Sequence, residues 1–345
     1  MKVWAALTAL MLSIATPAMA SSLHATLDGE PMWASYKERF VKPDGRVVDN
    51  ANKNVSHSEG QGFAMLLAVA ADDADTFASV WSFARDKLGV RKDRLFAWRW
   101  TPSRFGKGKV SDTNNATDGD LLIAWALLEA ADAGFGDAYR GAAMAIIEDL
   151  NGMITPHPSH GLVLRPAAFG FSAKEQNGKQ VVNPSYWVFP ALDRLKQTSM
   201  ATEARALVES GLSVVASSNH LPADWVALDP TEPDILPARN FGTIYSYNAV
   251  RVPLYLAWSG HKAALEPLMK RWRATEFAQV DTATGKVAEP FADAGYKAIA
   301  AFGECRLSGR RFPKALRSKL DPLYYPASLH LLSIAALKQK VPQCW

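Results

Sequence analysis

The sequence contains little cysteine. Cys305 and Cys344 are the only cysteines in 345 residues. Two thiols this far apart cannot make a CxxC redox motif or a zinc ribbon. They can form one disulfide in an oxidising compartment or remain two separate buried thiols, and the spacing leaves both possibilities open.

Several catalytic motifs are also missing. The sequence has no HExxH zinc motif, no GxSxG motif of a serine esterase and no P-loop. Its seven histidines are scattered, and His157 and His160 share a loop without neighbouring acids or cysteines. We therefore expect no metal and no cofactor.

Strong charge of one sign is absent too. The formal net charge is +4, which is too small to predict a nucleic-acid partner. The densest basic run, at 305–320, has no interleaved aromatic residues and is typical of a solvated face.

A long apolar run occurs only at the beginning of the sequence. Residues 1–20 contain a lysine, an apolar stretch and the small-x-small ending Ala18-Met19-Ala20. We interpret them as a signal peptide, which predicts a secreted or periplasmic protein. A membrane anchor is the alternative, but the run is short for a bilayer and no later segment approaches the required length. We expect no membrane span after cleavage.

Apolar residues recur at helical spacing through the rest of the sequence. Clear examples are EGQGFAMLLAVAADD, DGDLLIAWALLEAADA and YNAVRVPLYLAWSG. Alternating strand patterns are scarce, GKQVVN being the best short candidate, and no linker interrupts residues 21–345. The pattern predicts one all-α domain in which about a dozen helices pair and close into a ring.

The first informative helix start contains Glu59. In a ring the inner helices run parallel, so residues at their starts meet at one rim. Ser56 and Glu59 also fit a capping box, which is the simpler interpretation of the spacing. Gly60 and Gly62 favour a functional site, because each costs a helix about 1 kcal/mol and indicates a close approach to the backbone.

Three further helix starts carry polar or aromatic residues. At the second, Thr117 and Asp120 fit a cap, which leaves Asp118 without a structural task. The third and fourth starts contain Tyr186, Tyr247 and Arg251. Each of these three could equally be core or part of a cap.

Aromatic residues add a second signal. Trp98, Trp100, Trp33 and Trp225 are more tryptophans than a helical core demands. Packing explains any single one of them. Aromatic rings also stack on the apolar faces of sugars, and acids beside aromatics in an exported, enzyme-sized chain indicate carbohydrate hydrolysis.

These residues together resemble glycoside hydrolase family 8, and within it the members that accompany bacterial cellulose synthesis. The segment ATDGDLLIAWALLEA at 116–130 follows the family signature. Further matches span most of the chain and include WASYK at 33–37, DGRV at 44–47, SEGQG at 58–62, NPSY at 183–186, DW at 224–225 and YNAVR at 247–251.

The resemblance implies an (α/α) barrel of six helical hairpins with an open cleft and hydrolysis with inversion. It implies that Glu59 is the general acid and that Asp118 is a carboxylate where the bond breaks. The expected substrate-binding residues are Trp98, Trp100, Asp120, Tyr186, Tyr247 and Arg251. Because a helix start lowers the pKa of a carboxyl group, burial or a neighbouring acid must raise that of Glu59 again.

One position departs from the family pattern. Many members have an aspartate as catalytic base where this sequence has Asn248, and an amide cannot accept a proton from water. The base then comes from elsewhere, with Asp118, Asp229 and Asp293 as candidates, or activity is weak.

The leading hypothesis is an endo-β-1,4-glucanase that acts on a cellulose-like glucan beside the cellulose synthase machinery. The alternatives are a catalytically impaired glucan-binding protein and a hydrolase of chitosan or xylan. The basic charge weighs mildly against polycationic chitosan.

Overall fold

The structure is a computed structural model that describes residues 22–103, 107–218 and 220–345. The predicted signal peptide at 1–20 lies outside the described residues. No helix in the described ranges combines the length and apolar character needed to cross a membrane.

Helices dominate the described chain. They are α1 (Pro31–Phe40), α2 (Ser58–Ala70), α3 (Ala74–Phe83), α4 (Thr117–Asp132), α5 (Ala138–Leu150), α6 (Phe189–Leu195), α7 (Ala201–Ala216), α8 (Arg251–Ser259), α9 (Lys262–Ala274), α10 (Ala294–Ser308) and α11 (Tyr324–Lys340). Most of them coincide with the segments of helical periodicity.

Short antiparallel strands form four small sheets among the loops. The strands are β1 (Ser56–His57), β2 (Ala97–Thr101), β3 (Lys109–Asn115), β4 (Ile154–His157), β5 (Gly161–Leu164), β6 (Gln180–Val182), β7 (Val226–Leu228), β8 (Ile235–Pro237), β9 (Ile244–Tyr245), β10 (Ala278–Asp281) and β11 (Lys286–Pro290). The sheet orders are β1-β2-β3, β4-β5, β6-β7-β8 and β11-β10-β9.

The all-α expectation therefore needs a correction in the loops. GKQVVN does contain a strand, β6. The other strands escaped prediction because they are two to seven residues long and lack a sustained alternating pattern, which is the signal a sequence offers for a strand.

The helices differ in how much of their surface they bury. Almost every residue of α2, α4 and α11 is buried, as their continuous apolar composition requires. In contrast, α9 buries one stripe made of Leu265, Leu268, Met269 and Trp272. The fully buried helices therefore form the inner layer, and amphipathic helices such as α9 cover it.

The buried helices contact one another in a closed order. Helix α2 packs against α4, α4 against α6, α6 against α8, α8 against α10, α10 against α11, and α11 against α2. Helices α3, α5, α7 and α9 pack against the helices that precede them. Since inner helices share a direction in such an arrangement, their first turns come together.

Two glycines allow the closest of these contacts. A Cβ atom on Gly62 of α2 would lie 2.6 Å from Leu122 Cβ, and one on Gly119 of α4 would lie 2.8 Å from the backbone nitrogen of Glu59. Both distances are too short for a real side chain. The glycines thus let the first turns of α2 and α4 touch, which brings Glu59 beside Asp118.

A disulfide holds the C-terminal segment against α10. Cys305 of α10 is bonded to Cys344, which decides between the two possibilities that the sequence left open. Phe312 stacks on Trp345 at a centroid distance of 5.9 Å, and its backbone N–H donates to the Cys344 carbonyl at 2.8 Å.

Replacing Cys305 and Cys344 together by alanine should lower the free energy of unfolding by about 3–4 kcal/mol, because the bond closes a long loop in the unfolded chain. Chemical denaturation of the oxidised protein and of the variant measures the difference. An unchanged midpoint would show that the C-terminal segment is held by its packing alone.

Candidate active site

Glu59 lies in the first turn of α2 but does not cap the helix. The N-cap residue is His57, and no side chain caps this end. The Ser56 hydroxyl instead accepts a hydrogen bond from Arg46. Glu59 Oε2 accepts one from Arg251 Nη1 at 2.5 Å. The capping-box interpretation is therefore wrong, and the carboxyl group faces a partner from another helix.

Asp118 joins the same partner from the first turn of α4. Its side chain is 1% exposed, and its Oδ2 accepts a hydrogen bond from Arg251 Nη1 at 2.7 Å. Its Oδ1 accepts the N–H of Gly119 at 2.8 Å. The predicted cap of this helix is also wrong, since the Thr117 hydroxyl donates to the Arg165 carbonyl.

Arg251 connects three helix starts through one buried guanidinium group. It lies in the first turn of α8 with its side chain fully buried. Besides the two carboxyl groups, it binds Asn248, whose Oδ1 accepts from Nη2 at 2.8 Å. The Tyr186 ring lies 5.8 Å from the guanidinium carbon. The sequence-based site residues Glu59, Asp118 and Arg251 therefore meet at one point.

The charge balance of this cluster favours a protonated Glu59. Burial raises the pKa of Glu59 to about 8, and neighbouring Asp118 acts in the same direction, while Arg251 opposes both. One guanidinium does not balance two ionised carboxylates that are mostly removed from water. Glu59 thus carries a proton at neutral pH despite its helix start, as a general acid must.

Asp120 has a structural role, which corrects its assignment to substrate binding. Its side chain is fully buried. One oxygen accepts the Phe96 N–H and the other accepts the Asn115 amide, both at 2.8 Å. These bonds fasten the loop before β2 to the start of α4, and they leave Asp120 no surface for a sugar.

The two tryptophans of β2 lie two residues apart, in a strand whose pairing with β3 is irregular on either side of Arg99. Trp98 stacks on His57 with an interplanar angle of 9° and is partly exposed beside α2, the helix that carries Glu59. Trp100 packs edge-to-face on Phe83 and lies 5.0 Å from the Arg46 guanidinium. Both rings are partly exposed. Trp98 lies beside the start of α2, and substrate binding by Trp100 stays a prediction.

Tyr186 and Tyr247 occupy different depths. Tyr186 lies against Arg251 and packs on Trp225 at a centroid distance of 5.9 Å. Tyr247 is 49% exposed, and its hydroxyl accepts from Gln279 at 3.3 Å. The exposed ring of Tyr247 can meet a ligand directly, whereas Tyr186 supports the buried cluster.

Sequence reasoning missed the aromatic pair Tyr324 and Tyr325 at the start of α11. The Tyr325 hydroxyl donates to the Tyr247 carbonyl at 2.5 Å. Tyr324 lies so near α2 that a Cβ atom on Gly60 would be 2.6 Å from its hydroxyl. The signal was present, because the segment DPLYYPA is a further helix start with aromatic residues that a cap does not need.

Two of the proposed base candidates have other partners than this cluster. Asp229 pairs with Lys179 at 3.0 Å and accepts hydrogen bonds from Thr231, and these contacts lower its pKa. Asp293 is the N-cap residue of α10, and burial and Asp321 raise its pKa. No hydrogen bond or ion pair within the described ranges joins either residue to Glu59.

The comparisons with known proteins agree with this geometry. Residues 2–339 match the family model of glycosyl hydrolases family 8. An endoglucanase of Cellulomonas uda is 39% identical to this chain. The match covers 70% of this chain and 66% of the length of the relative, which is slightly less than two thirds. A probable endoglucanase of Novacetimonas hansenii is 36% identical over 87% of this chain and 88% of its own.

Solved structures give the same result. The endoglucanase Cel10 of Klebsiella pneumoniae is 33% identical with a TM-score of 0.80, over 90% of this chain and all of its own. The endo-β-1,4-glucanase CMCax of Acetobacter xylinum is 34% identical with a TM-score of 0.79, over 93% of this chain and all of its own. On this similarity and the site it accompanies, the chain belongs to glycosyl hydrolase family 8 and is a glycoside hydrolase.

Proposed function

We propose that this protein is an endo-β-1,4-glucanase that cleaves a cellulose-like polymer with inversion. The observation that carries the proposal is the buried triad of Glu59, Asp118 and Arg251 at the meeting point of three helix starts. Family relatives named as endoglucanases over most of this chain support the glucan as substrate. The closed order of buried helices supports an (α/α) barrel of six hairpins around the site.

In this proposal Glu59 protonates the glycosidic oxygen as the bond breaks. The transition state carries positive charge on the sugar ring, which the carboxylate of Asp118 stabilises. Arg251 holds both acids in place, and Trp98 and Tyr247 offer aromatic faces to the neighbouring sugars.

A second candidate is a glucan-binding protein with impaired catalysis. The observation that favours it is Asn248, whose amide oxygen already accepts a hydrogen bond from Arg251 and cannot take a proton from water. Turnover separates the two functions. Release of reducing sugar from carboxymethylcellulose supports the hydrolase, whereas binding without release supports the second candidate.

The first prediction concerns the general acid. Glu59→Gln should lower kcat on carboxymethylcellulose by about 10²–10⁴-fold, because the amide cannot donate the proton. In the unmodified protein, kcat/KM should fall as pH rises through about 8, where Glu59 loses its proton. That basic limb should vanish in Glu59→Gln. Glu38→Gln, an exposed position on α1, is the control, and equal activity of all three proteins would refute the assignment.

The second prediction concerns stereochemistry. If water attacks the anomeric carbon opposite the leaving oxygen, the first product of cellohexaose hydrolysis should be the α-anomer. Proton NMR during the first minutes distinguishes it from the β-anomer, before mutarotation mixes the two. Early accumulation of the β-anomer would mean retention and a covalent intermediate, contrary to the proposal.

We also propose that the protein acts outside the cytoplasm, beside a cellulose synthase. Support comes from the sequence of residues 1–20 and from the resemblance to members that accompany cellulose synthesis. Expression of the full chain in a bacterium should yield periplasmic or secreted protein whose first residue is Ser21. Replacing Ala18 and Ala20 by bulky residues should block processing. Unprocessed cytoplasmic protein from the unaltered chain would contradict the proposal.

A further inference from the structure

Hydrolysis with inversion needs a second carboxylate, and the buried triad does not supply it. Glu59 and Asp118 both bind Arg251 Nη1, at 2.5 Å and 2.7 Å, so the bound oxygens lie within about 5 Å of each other. An inverting pair stands roughly 6.5–9.5 Å apart, with the sugar and a water molecule between the two groups. Asp118 is therefore too close to Glu59 to be the base.

The other sequence-based candidates fit no better. The amide of Asn248 cannot accept a proton, and its oxygen is held by Arg251. Asp229 pairs with Lys179 at 3.0 Å, so its charge is already balanced. Asp293 raises the pKa of Tyr296, as Asp49 also does, but Asp49 in addition contributes to the raised pKa of Glu59.

Asp49 is a carboxylate near Glu59 that sequence reasoning overlooked. Its negative charge contributes to the raised pKa of Glu59, and it also raises the pKa values of Tyr324 and Tyr296. Tyr296 in turn packs against Tyr247 at a centroid distance of 6.0 Å. Asp49 Oδ2 also lies 3.6 Å from Nε2 of His57, the N-cap residue of α2. Asp49 therefore lies beside the start of the helix that carries Glu59.

The local structure holds Asp49 without consuming its charge. Its backbone forms a β-bridge with Val55, and Oδ1 accepts the Ala51 N–H at 3.1 Å. Oδ2 faces His57 Nε2 at 3.6 Å, which is longer than a hydrogen bond, so this oxygen can still accept one from water. The side chain is 12% exposed and pairs with no lysine or arginine in the part of the chain that the structure describes.

We propose that Asp49 is the catalytic base and that His57 is the positioning residue that orients it. Asp49 Oδ2 takes a proton from a water molecule while the water oxygen bonds to the anomeric carbon. The glycosidic bond breaks, and its oxygen receives the proton of Glu59. Asp49 then releases its proton to solvent and Glu59 regains one, so that one water is consumed for each bond cut.

The arrangement of His57 suits this positioning role. Its ring is clamped between Trp98, on which it stacks, and Tyr324 at a centroid distance of 6.4 Å. Burial lowers its pKa, so the imidazole is neutral at neutral pH and adds no positive charge that would weaken Asp49 as a base. The same residue therefore links the aromatic surface of Trp98 to the carboxylate that activates water.

Chemical rescue tests this inference, which rests on the proposed glucan hydrolysis. Asp49→Ala should lower kcat on cellohexaose by about 10²–10⁴-fold. Because alanine leaves room for a small anion, sodium azide should restore turnover and yield an α-glycosyl azide detectable by mass spectrometry and NMR. Asp44→Ala removes an exposed carboxylate from the same loop and should behave like the unmodified protein with and without azide. Thermal unfolding confirms that both variants fold.

The outcomes distinguish the two levels of the proposal. Suppose that the unmodified protein hydrolyses cellohexaose. If Asp49→Ala then keeps its activity, or loses it and azide does not restore it, Asp49 is not the base, but the glucanase function stands. If the unmodified protein shows no turnover, both are overturned. For His57→Gln, a lowered kcat with KM unchanged supports the positioning role, and an unaltered kcat contradicts it.

Discussion

The site depends on the contact between the first turns of α2 and α4. Gly62 and Gly119 remove the side chains that would keep these helices apart, and the backbone of one helix then meets the other. Glu59 and Asp118 consequently share one guanidinium, that of Arg251. A methyl group at either glycine would widen this contact and move Glu59 and Asp118 apart.

This contact determines the protonation state of Glu59. Two carboxyl groups that bind one buried cation cannot both ionise without leaving an unbalanced charge in a water-poor site. The structure resolves the conflict by keeping a proton on Glu59, whose pKa is raised by burial and by Asp118. A helix start alone would have produced the opposite shift. The raised pKa of Glu59 is thus a property of the cluster and not of the residue alone.

Residues that stabilise the fold and residues of the candidate site lie in different layers of the molecule. The inner helices provide apolar walls, and their first turns provide the acids and Arg251. The loops and short strands provide surfaces at the rim, among them Trp98 on β2 and the loop that carries Asp49. This division also explains the correction to Asp120. It resembles a ligand-binding residue by type, but its carboxyl group fastens the loop before β2 to the start of α4.

The sequence by itself determined the helical segments, the separation into continuous apolar and amphipathic helices, and the family signature around Asp118. Helical periodicity and a contiguous motif are local properties, so they can be recognised without coordinates. Only the tertiary structure decided which helix starts meet, that Cys305 pairs with Cys344, that Trp98 stacks on His57, and that Asp49 faces His57 at the start of α2. These are contacts between residues that are not neighbours in the sequence, and they arise from packing, which no local pattern encodes.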